Sequence, residues 1–314
     1  MSYASLLPDF ALEHALDDLA FAAAYDVVSV QRRAWLKKCI ARLHVWHGEE
    51  RTTGLERVAT WRQGFVSEER LEPLPWAMVT LDPGVLSPVR CLAAVLPPLL
   101  AGVGQTLVVR VHADKDEQDQ RPWPARLLTA FELAGQELVL DLTAAQTAKL
   151  ARTLAVLTGP GLIVCLEESR DSARPALAWL SDEARKAGVA VWRPRWDGRI
   201  GIWAPDGAAW DWDTLHWAHP DAVTTVWGNR TEALPSGFTA RKGKMSSFLK
   251  EAYTAAFVPS DAQAEALDRV PLVLGPGHEG CWLWPDLTLG LCRRRSVAWT
   301  APVDADAEGL RDHE

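Results

Sequence analysis

LPWAMVTLDPGVLSPVRCLAAVLPPLLAGVGQTLVVR, residues 74–110, contains a strand, a proline-bearing turn, an apolar helix, a glycine corner and a second strand. The run AMVTL is apolar throughout and lies between Pro75 and Pro83, as suits a strand buried on both faces. DPGVLSP then places two prolines and a glycine where regular structure must pause. VRCLAAVLPPLLAG is apolar at helical spacing and closes on Gly102, which serves as a C-terminal cap. QTLVVRV carries the β-branched residues of a strand. Such a strand–helix–strand unit belongs to a parallel sheet with a right-handed crossover. Ligands bind beyond the carboxyl ends of strands in these sheets, so residues 82–87 are the first place to seek function.

The same alternation continues downstream. Helices are expected over 124–134, 143–157 (with Thr143 as N-cap) and 174–187, and strands over 136–142, 189–194, 199–205 and 222–228. Residues 157–169 read as a Gly-Pro-Gly corner and then a buried strand, 251–270 as a strand followed by a helix, and 271–274 as a strand. Residues 5–48 read as two amphipathic helices, with Val30, Trp35, Leu36, Cys39, Ile40 and Leu43 on one stripe. The polar stretch 51–72 reads as a connector, and 206–221 as irregular aromatic chain. The expected fold is α/β: a doubly wound, mostly parallel sheet with a helical N-terminal cap and a small C-terminal subdomain. The expected divisions are 1–72 (cap and connector), 73–230 (nucleotide-binding-like domain), 231–303 (curtailed C-terminal subdomain) and 304–314 (acidic tail).

Composition narrows the function classes. The net charge of −8 disfavours nucleic acid, which requires a basic surface. No apolar run approaches the ~20 residues that cross a bilayer, and the first residues lack the pattern of a secretory signal. The five cysteines include no CxxC pair, against a disulfide scaffold or a structural zinc site. A cytoplasmic protein is expected, and no metal. A homo-oligomer is compatible with the chain. Tryptophan is unusually common at 16 residues, seven of them between 192 and 227. With no basic groove beside them, these read as packing rather than a stacking platform for bases; an apolar small-molecule site is the weaker alternative.

Three glycine corners are candidate phosphate cradles. Residues 275–280, GPGHEG, have G-x-G-x-x-G spacing, but Pro285 follows and forbids the helix that the fingerprint requires, so a tight turn is expected. Residues 158–161, TGPG, and 227–229, WGN, are the others. Arg110 ends the second strand and offers a bidentate phosphate partner, or else pairs with the acidic loop 114–119. Cys165 reads as buried and inert, whereas the arginines at 293–295 would lower the pKa of Cys292. The basic run 241–244 reads as a solvated loop.

The order VTLDP, LLAG, TLVVR resembles the first cofactor-domain unit of the aldehyde dehydrogenase superfamily, and the Pro-Gly turn is similar to that of histidinol dehydrogenases. Residues 219–229, HPDAVTTVWGN, resemble the segment that leads into the Thr-Gly-Ser turn of aldehyde dehydrogenases, which favours Gly228 over Gly159 as the cradle. The resemblance implies a nicotinamide dinucleotide, NAD(P), held along Asp82, Pro83, Gly84, Arg110, Gly228 and Asn229. It also implies a cysteine nucleophile and a glutamate base, or zinc and paired histidines in the histidinol branch. No Gly-Gln-x-Cys or ELGG context is present, and His278 in GPGHEG is only faintly similar to the histidinol dehydrogenase segment GPNH. Two expectations therefore stand for a divergent, shortened relative: an NAD(P)-dependent oxidoreductase with no assigned catalytic residue, or a non-catalytic pseudoenzyme acting as a binding or assembly partner.

Overall fold

A computed structural model of the chain describes residues 7–48, 54–112, 122–167, 177–206, 208–228 and 234–301. Helices α1 (Asp9–Leu12), α2 (Asp18–Val27) and α3 (Val30–His47) come first, followed by a hairpin of β1 (Leu55–Trp61) and β2 (Phe65–Pro73). A first parallel sheet is built from β3 (Trp76–Leu81), α4 (Pro88–Leu100), β4 (Gln105–His112), α5 (Ala125–Ala134) and β5 (Val139–Thr143). It is completed by α6 (Ala144–Thr158), β6 (Gly161–Leu166), α7 (Ala178–Lys186) and β7 (Ala190–Trp192). A second begins with β8 (Arg199–Trp203), α8 (Trp212–Ala218), β9 (Val223–Trp227) and β10 (Phe238–Arg241). It ends with α9 (Met245–Phe248), β11 (Ala255–Phe257), α10 (Gln263–Leu267) and β12 (Leu272–Leu274), after which β13 (Arg293–Thr300) joins the hairpin.

The first sheet runs β5-β4-β3-β6-β7, all parallel, so its second half winds away from the first on either side of β3. Every residue of β3 and of β6 is buried, as the uninterrupted apolar runs require. Alternation along β3 sends Ala77, Val79 and Leu81 into a core shared with α3, α4 and α5. Trp76 and Met78 point the other way, against α6 and α7. Helix α4 keeps Pro97 and Pro98 in its last turn and closes on Gly102, at φ +77°. The Gly102 and Val103 amides return to the Leu99 and Pro98 carbonyls, a Schellman closure that satisfies the helix end. Helix α6 starts with a capping box in which Thr143 and Gln146 satisfy each other's backbone amides.

The second sheet has the same order, β10-β9-β8-β11-β12, also parallel throughout. The expected α/β class and parallel winding are present, in two sheets rather than one. β8 and β9 lie before residue 230 but belong to the second sheet, so that expected division cuts through it, and 238–274 complete a sheet rather than a remnant. The supposed connector is the hairpin β1–β2, which pairs antiparallel with β13. β1 is exposed and β2 only half-buried, with charged residues on both, so they carry little apolar periodicity, and their third partner lies at the far end of the sequence. The stretch read as irregular holds α8, whose N-cap Asp211 accepts from the Thr214 amide. On α3, Leu36, Cys39 and Leu43 are buried as expected, but Val30 is exposed. The acidic tail lies outside the described residues.

Candidate functional site

The crevice of a doubly wound sheet opens where the strand order reverses, here beyond the carboxyl ends of β3 and β6. Asp82 leaves β3 with its amide on the Leu166 carbonyl, and its carboxylate accepts from the Gly84 amide at 2.8 Å, which closes the turn. Pro83 lies between them, so the structure does gather Asp82, Pro83 and Gly84 at the crevice. Ser87 caps α4, and its hydroxyl donates to the Ala218 carbonyl at 2.7 Å.

An anion is already seated at this helix start, and it belongs to the chain. Asp221, just after α8, accepts from the Leu86 amide at 2.8 Å and forms an ion pair with Arg90 on α4. Both side chains are only 2% exposed, so the pair is fully desolvated. The Arg90 guanidinium also lies over the Trp196 ring, 4.0 Å from its centre. Beside it, His219 is completely buried and packs on Phe257 and Trp282. Burial first, and then the Arg90 charge, push its pKa down to about 3, so it is a neutral imidazole. Its Nε2 faces the Glu279 carbonyl at 3.2 Å.

Arg110 reaches the same edge of the first sheet, paired through Leu81 across β3 and β4. The acidic loop 114–119 lies outside the described residues; among those described, Arg110 bonds Asp141 twice, at 2.7 and 2.9 Å. His112 and the Trp123 indole N–H complete the hydrogen bonding of that carboxylate, and Trp123 stacks on the guanidinium. Burial acts to raise the Asp141 pKa, and the hydrogen bonds from Arg110, His112 and Trp123 outweigh it and hold the carboxyl below its usual range.

Gly228 is on the other sheet, after β9. At φ +147° a Cβ there would lie 2.0 Å from the Ala204 carbonyl, and its amide bonds Arg241, so glycine is needed for close backbone packing. Asn229 lies outside the described residues. The 158–161 corner precedes β6 and is therefore at the amino edge of the sheet, opposite the crevice; the Trp76 ring fills the space beside Gly161. Residues 275–280 form the expected tight turn, with the His278 amide on Gly275 and the Cys281 amide on His278. The turn holds no helix start.

The fit to a dinucleotide is therefore poor. The Leu86 amide, in the turn just before α4, is bonded to Asp221, Arg110 is bonded to Asp141, and the two groups of expected residues lie on different sheets. The thiols follow the same trend. Burial pushes Cys165 up to about 11 and Cys292 up to about 12. The arginine cluster does not activate Cys292, because burial outweighs Arg293, and Arg294 and Arg295 pair with Glu72 and Glu69. In the basic run, Arg241 pairs with Glu251 while Lys242 and Lys244 are exposed. Among the described residues, no three His, Cys, Asp or Glu side chains gather as a metal site requires. Trp192, Trp196, Trp282 and Trp284 pack on one another, whereas Trp123, Trp203, Trp210, Trp212 and Trp227 pack on phenylalanine rings. Trp192, Trp282 and Trp284 also line a cavity of about 410 Å³, together with Arg195 and Arg269. Sequence reasoning missed Arg90 and Asp221, and their only signal was the HPD segment, noted for its resemblance rather than its charge.

No protein-family model matches the sequence, and no curated protein matches it. Solved structures do. Histidinol dehydrogenase from Elizabethkingia anophelis aligns over 92% of this chain and 77% of its own, at TM-score 0.57 and 13% identity. An aldehyde dehydrogenase from Brucella melitensis biovar abortus 2308 aligns over 91% and 83%, at TM-score 0.50 and 11% identity. No helix among the described residues is long and apolar enough to cross a membrane. The chain has the histidinol and aldehyde dehydrogenase-like fold, in a strongly divergent sequence.

Proposed function

We propose that this chain is a non-catalytic protein on a dehydrogenase-like fold and works by assembly with a second copy of itself. The observation that carries this reading is the internal anion at the start of α4. The turn that leads into a helix N-terminus attracts phosphate, and here the Asp221 carboxylate lies at that turn, on the Leu86 amide just before α4 and paired with Arg90. A dinucleotide would have to displace a buried ion pair, and breaking such a pair costs about 3–5 kcal/mol.

The assembly surface is the three-stranded antiparallel sheet. The register places Leu55, Trp61, Phe65, Leu71, Val297 and Trp299 on one face. Trp61 stacks on Phe65, and Phe65 meets Trp299, yet Trp299 remains 73% exposed and Val297 54%. The rings gather at one end of this face, while Arg57, Glu69 and Arg295 occupy its middle and far end, and an exposed aromatic cluster rimmed by charge is characteristic of an interface. A twofold copy of the same face would cover it, since symmetric dimers use one patch twice.

Two measurements test the reading. Calorimetry with NAD(P)+ and NAD(P)H to millimolar concentration should show no saturable binding; a thermal shift growing as RT ln(1 + [L]/Kd) would overturn the non-catalytic claim. Sedimentation should show a dimer that Trp299→Glu converts to monomer, and a wild-type monomer at high concentration would overturn the assembly claim.

A further inference from the structure

Helix α3 and the turn after β12 bring together two cysteines that are 242 positions apart. The Cys39 and Cys281 sulfurs lie 3.3 Å from each other, and both residues are buried. Cys39 occupies the inner face of α3 between Leu36 and Leu43. Cys281 follows the turn at 275–280, whose Pro276 and Gly277 are exposed. One turn along α3, Arg42 donates to the Cys281 sulfur at 3.0 Å and to the Gly277 carbonyl at 3.0 Å. The Cys39 sulfur also lies against the Gly280 carbonyl, the alternative acceptor for its one proton.

The two sulfurs are not equivalent. The Cys39 hydrogen bond first, and then the Arg42 contact and charge, draw Cys281 below the ordinary thiol range against the opposing effect of burial. The same hydrogen bond and burial push Cys39 up, so it keeps its proton. Nothing in the packing of α3 against the second sheet requires a cation on a sulfur. An arginine bonded to a thiol is the arrangement that stabilises a thiolate.

We propose that Cys281 and Cys39 form a peroxide-sensitive thiol pair, Cys281 attacking and Cys39 resolving, whose disulfide joins helix α3 to the end of the second sheet. In the first step the Cys281 thiolate attacks one oxygen of hydrogen peroxide. A sulfur–oxygen bond forms, the oxygen–oxygen bond breaks, and the departing hydroxide takes a proton to become water. In the second step the Cys39 thiol attacks the Cys281 sulfenic acid, the sulfur–sulfur bond forms, and the sulfenic oxygen leaves as a second water with the Cys39 proton. The two sulfurs supply the two electrons that reduce the peroxide. Neither step depends on a dinucleotide or on the assembly face.

The test uses the full chain. Thiol titration after denaturation should find five cysteines in reduced protein and two fewer after brief exposure to equimolar hydrogen peroxide. Tryptic mapping on a Cys292→Ser background should link residues 39–42 to residues 270–293. Cys39→Ser should instead leave a sulfenic acid on Cys281 that dimedone labels. Arg42→Gln should slow oxidation at pH 7 about tenfold, because less Cys281 is then thiolate. The oxidised protein should melt higher, by on the order of 5 °C, since the bond closes a very long loop. Five thiols remaining at a peroxide dose that fully oxidises free cysteine would overturn the proposal. A disulfide forming at an unchanged rate in Arg42→Gln would overturn the assignment of Cys281 as the attacking sulfur.

Discussion

The two parallel sheets share one strand order and reach it by different means. In the first, β3 and β6 are six residues long and buried throughout, and the crossover helices α4, α5 and α6 run 13, 10 and 15 residues. In the second, strands of three to five residues are joined through α8 of seven residues, α9 of four and α10 of five. Rings cover the second sheet where helices cover the first. Phe248 packs on Trp203, Trp227 and Tyr253, and Trp210 meets Phe257 edge-on. One indole buries as much apolar area as several small side chains, so a short connector bearing aromatics replaces a helix. That explains the abundance of tryptophan without invoking a ligand.

The joint between the sheets offers the largest effect. Arg90→Met or Asp221→Asn alone should cost about 3–5 kcal/mol in urea unfolding, because each strands a buried charge or donor. Arg90→Met with Asp221→Leu should cost less than the sum. A second unfolding transition in the single variants would mean that the two sheets are stable separately, which would break the comparison.

A smaller effect comes from His219. It stays neutral in the folded protein down to about pH 3, whereas in the unfolded chain it takes a proton near its ordinary 6.5. Its contribution is therefore complete above pH 6.5 and is lost progressively as pH falls towards 3. Stability should drop by about 2 kcal/mol between pH 7.5 and pH 5 from this group. His47, also lowered by burial, adds to the slope in the same direction, so the difference between wild type and His219→Asn isolates the His219 part. An identical slope in the variant would show that the joint is wetter than its burial indicates.

The smallest effects distinguish the crossovers. Thr143→Ala removes a capping box and should cost ~1 kcal/mol. Helix α9 has no side-chain cap at Lys244, so Lys244→Ser should add about 0.5 kcal/mol. Equal and opposite changes of the same size would mean that the second sheet depends on its helices as much as the first does.

The same contrast explains what was legible in the sequence. Residues 74–166 declare themselves because long helices and doubly buried strands impose clear periods, so the strand–helix–strand unit, the Thr143 cap and the turn at 275–280 could be read directly. The second sheet was legible strand by strand but not as a sheet of its own: β10 falls in a polar, basic stretch, and the aromatic connector 206–221 looks irregular. β13 was missed because its partner β2 lies far back in the chain. Asp82, Pro83 and Gly84 do come together in the turn after β3, as the local sequence indicates. The Asp221 contacts beside it were not legible, since no local pattern tells Asp221 that it will meet Leu86 across 135 positions and Arg90 across 131.

The late pairing of β13 bears on synthesis. The hairpin β1–β2 is made early, but β2 gains its third strand only after some 220 further residues. At ribosomal rates of about 5–20 residues per second, that is a wait of roughly 10–45 s. Through that interval Trp61 and Phe65 face solvent beside an open strand edge, the kind of surface that chaperones protect. The stretch that binds last in the finished protein is thus exposed longest in the unfinished one, and its charged neighbours Glu68, Glu69 and Arg70 serve as guards against premature pairing.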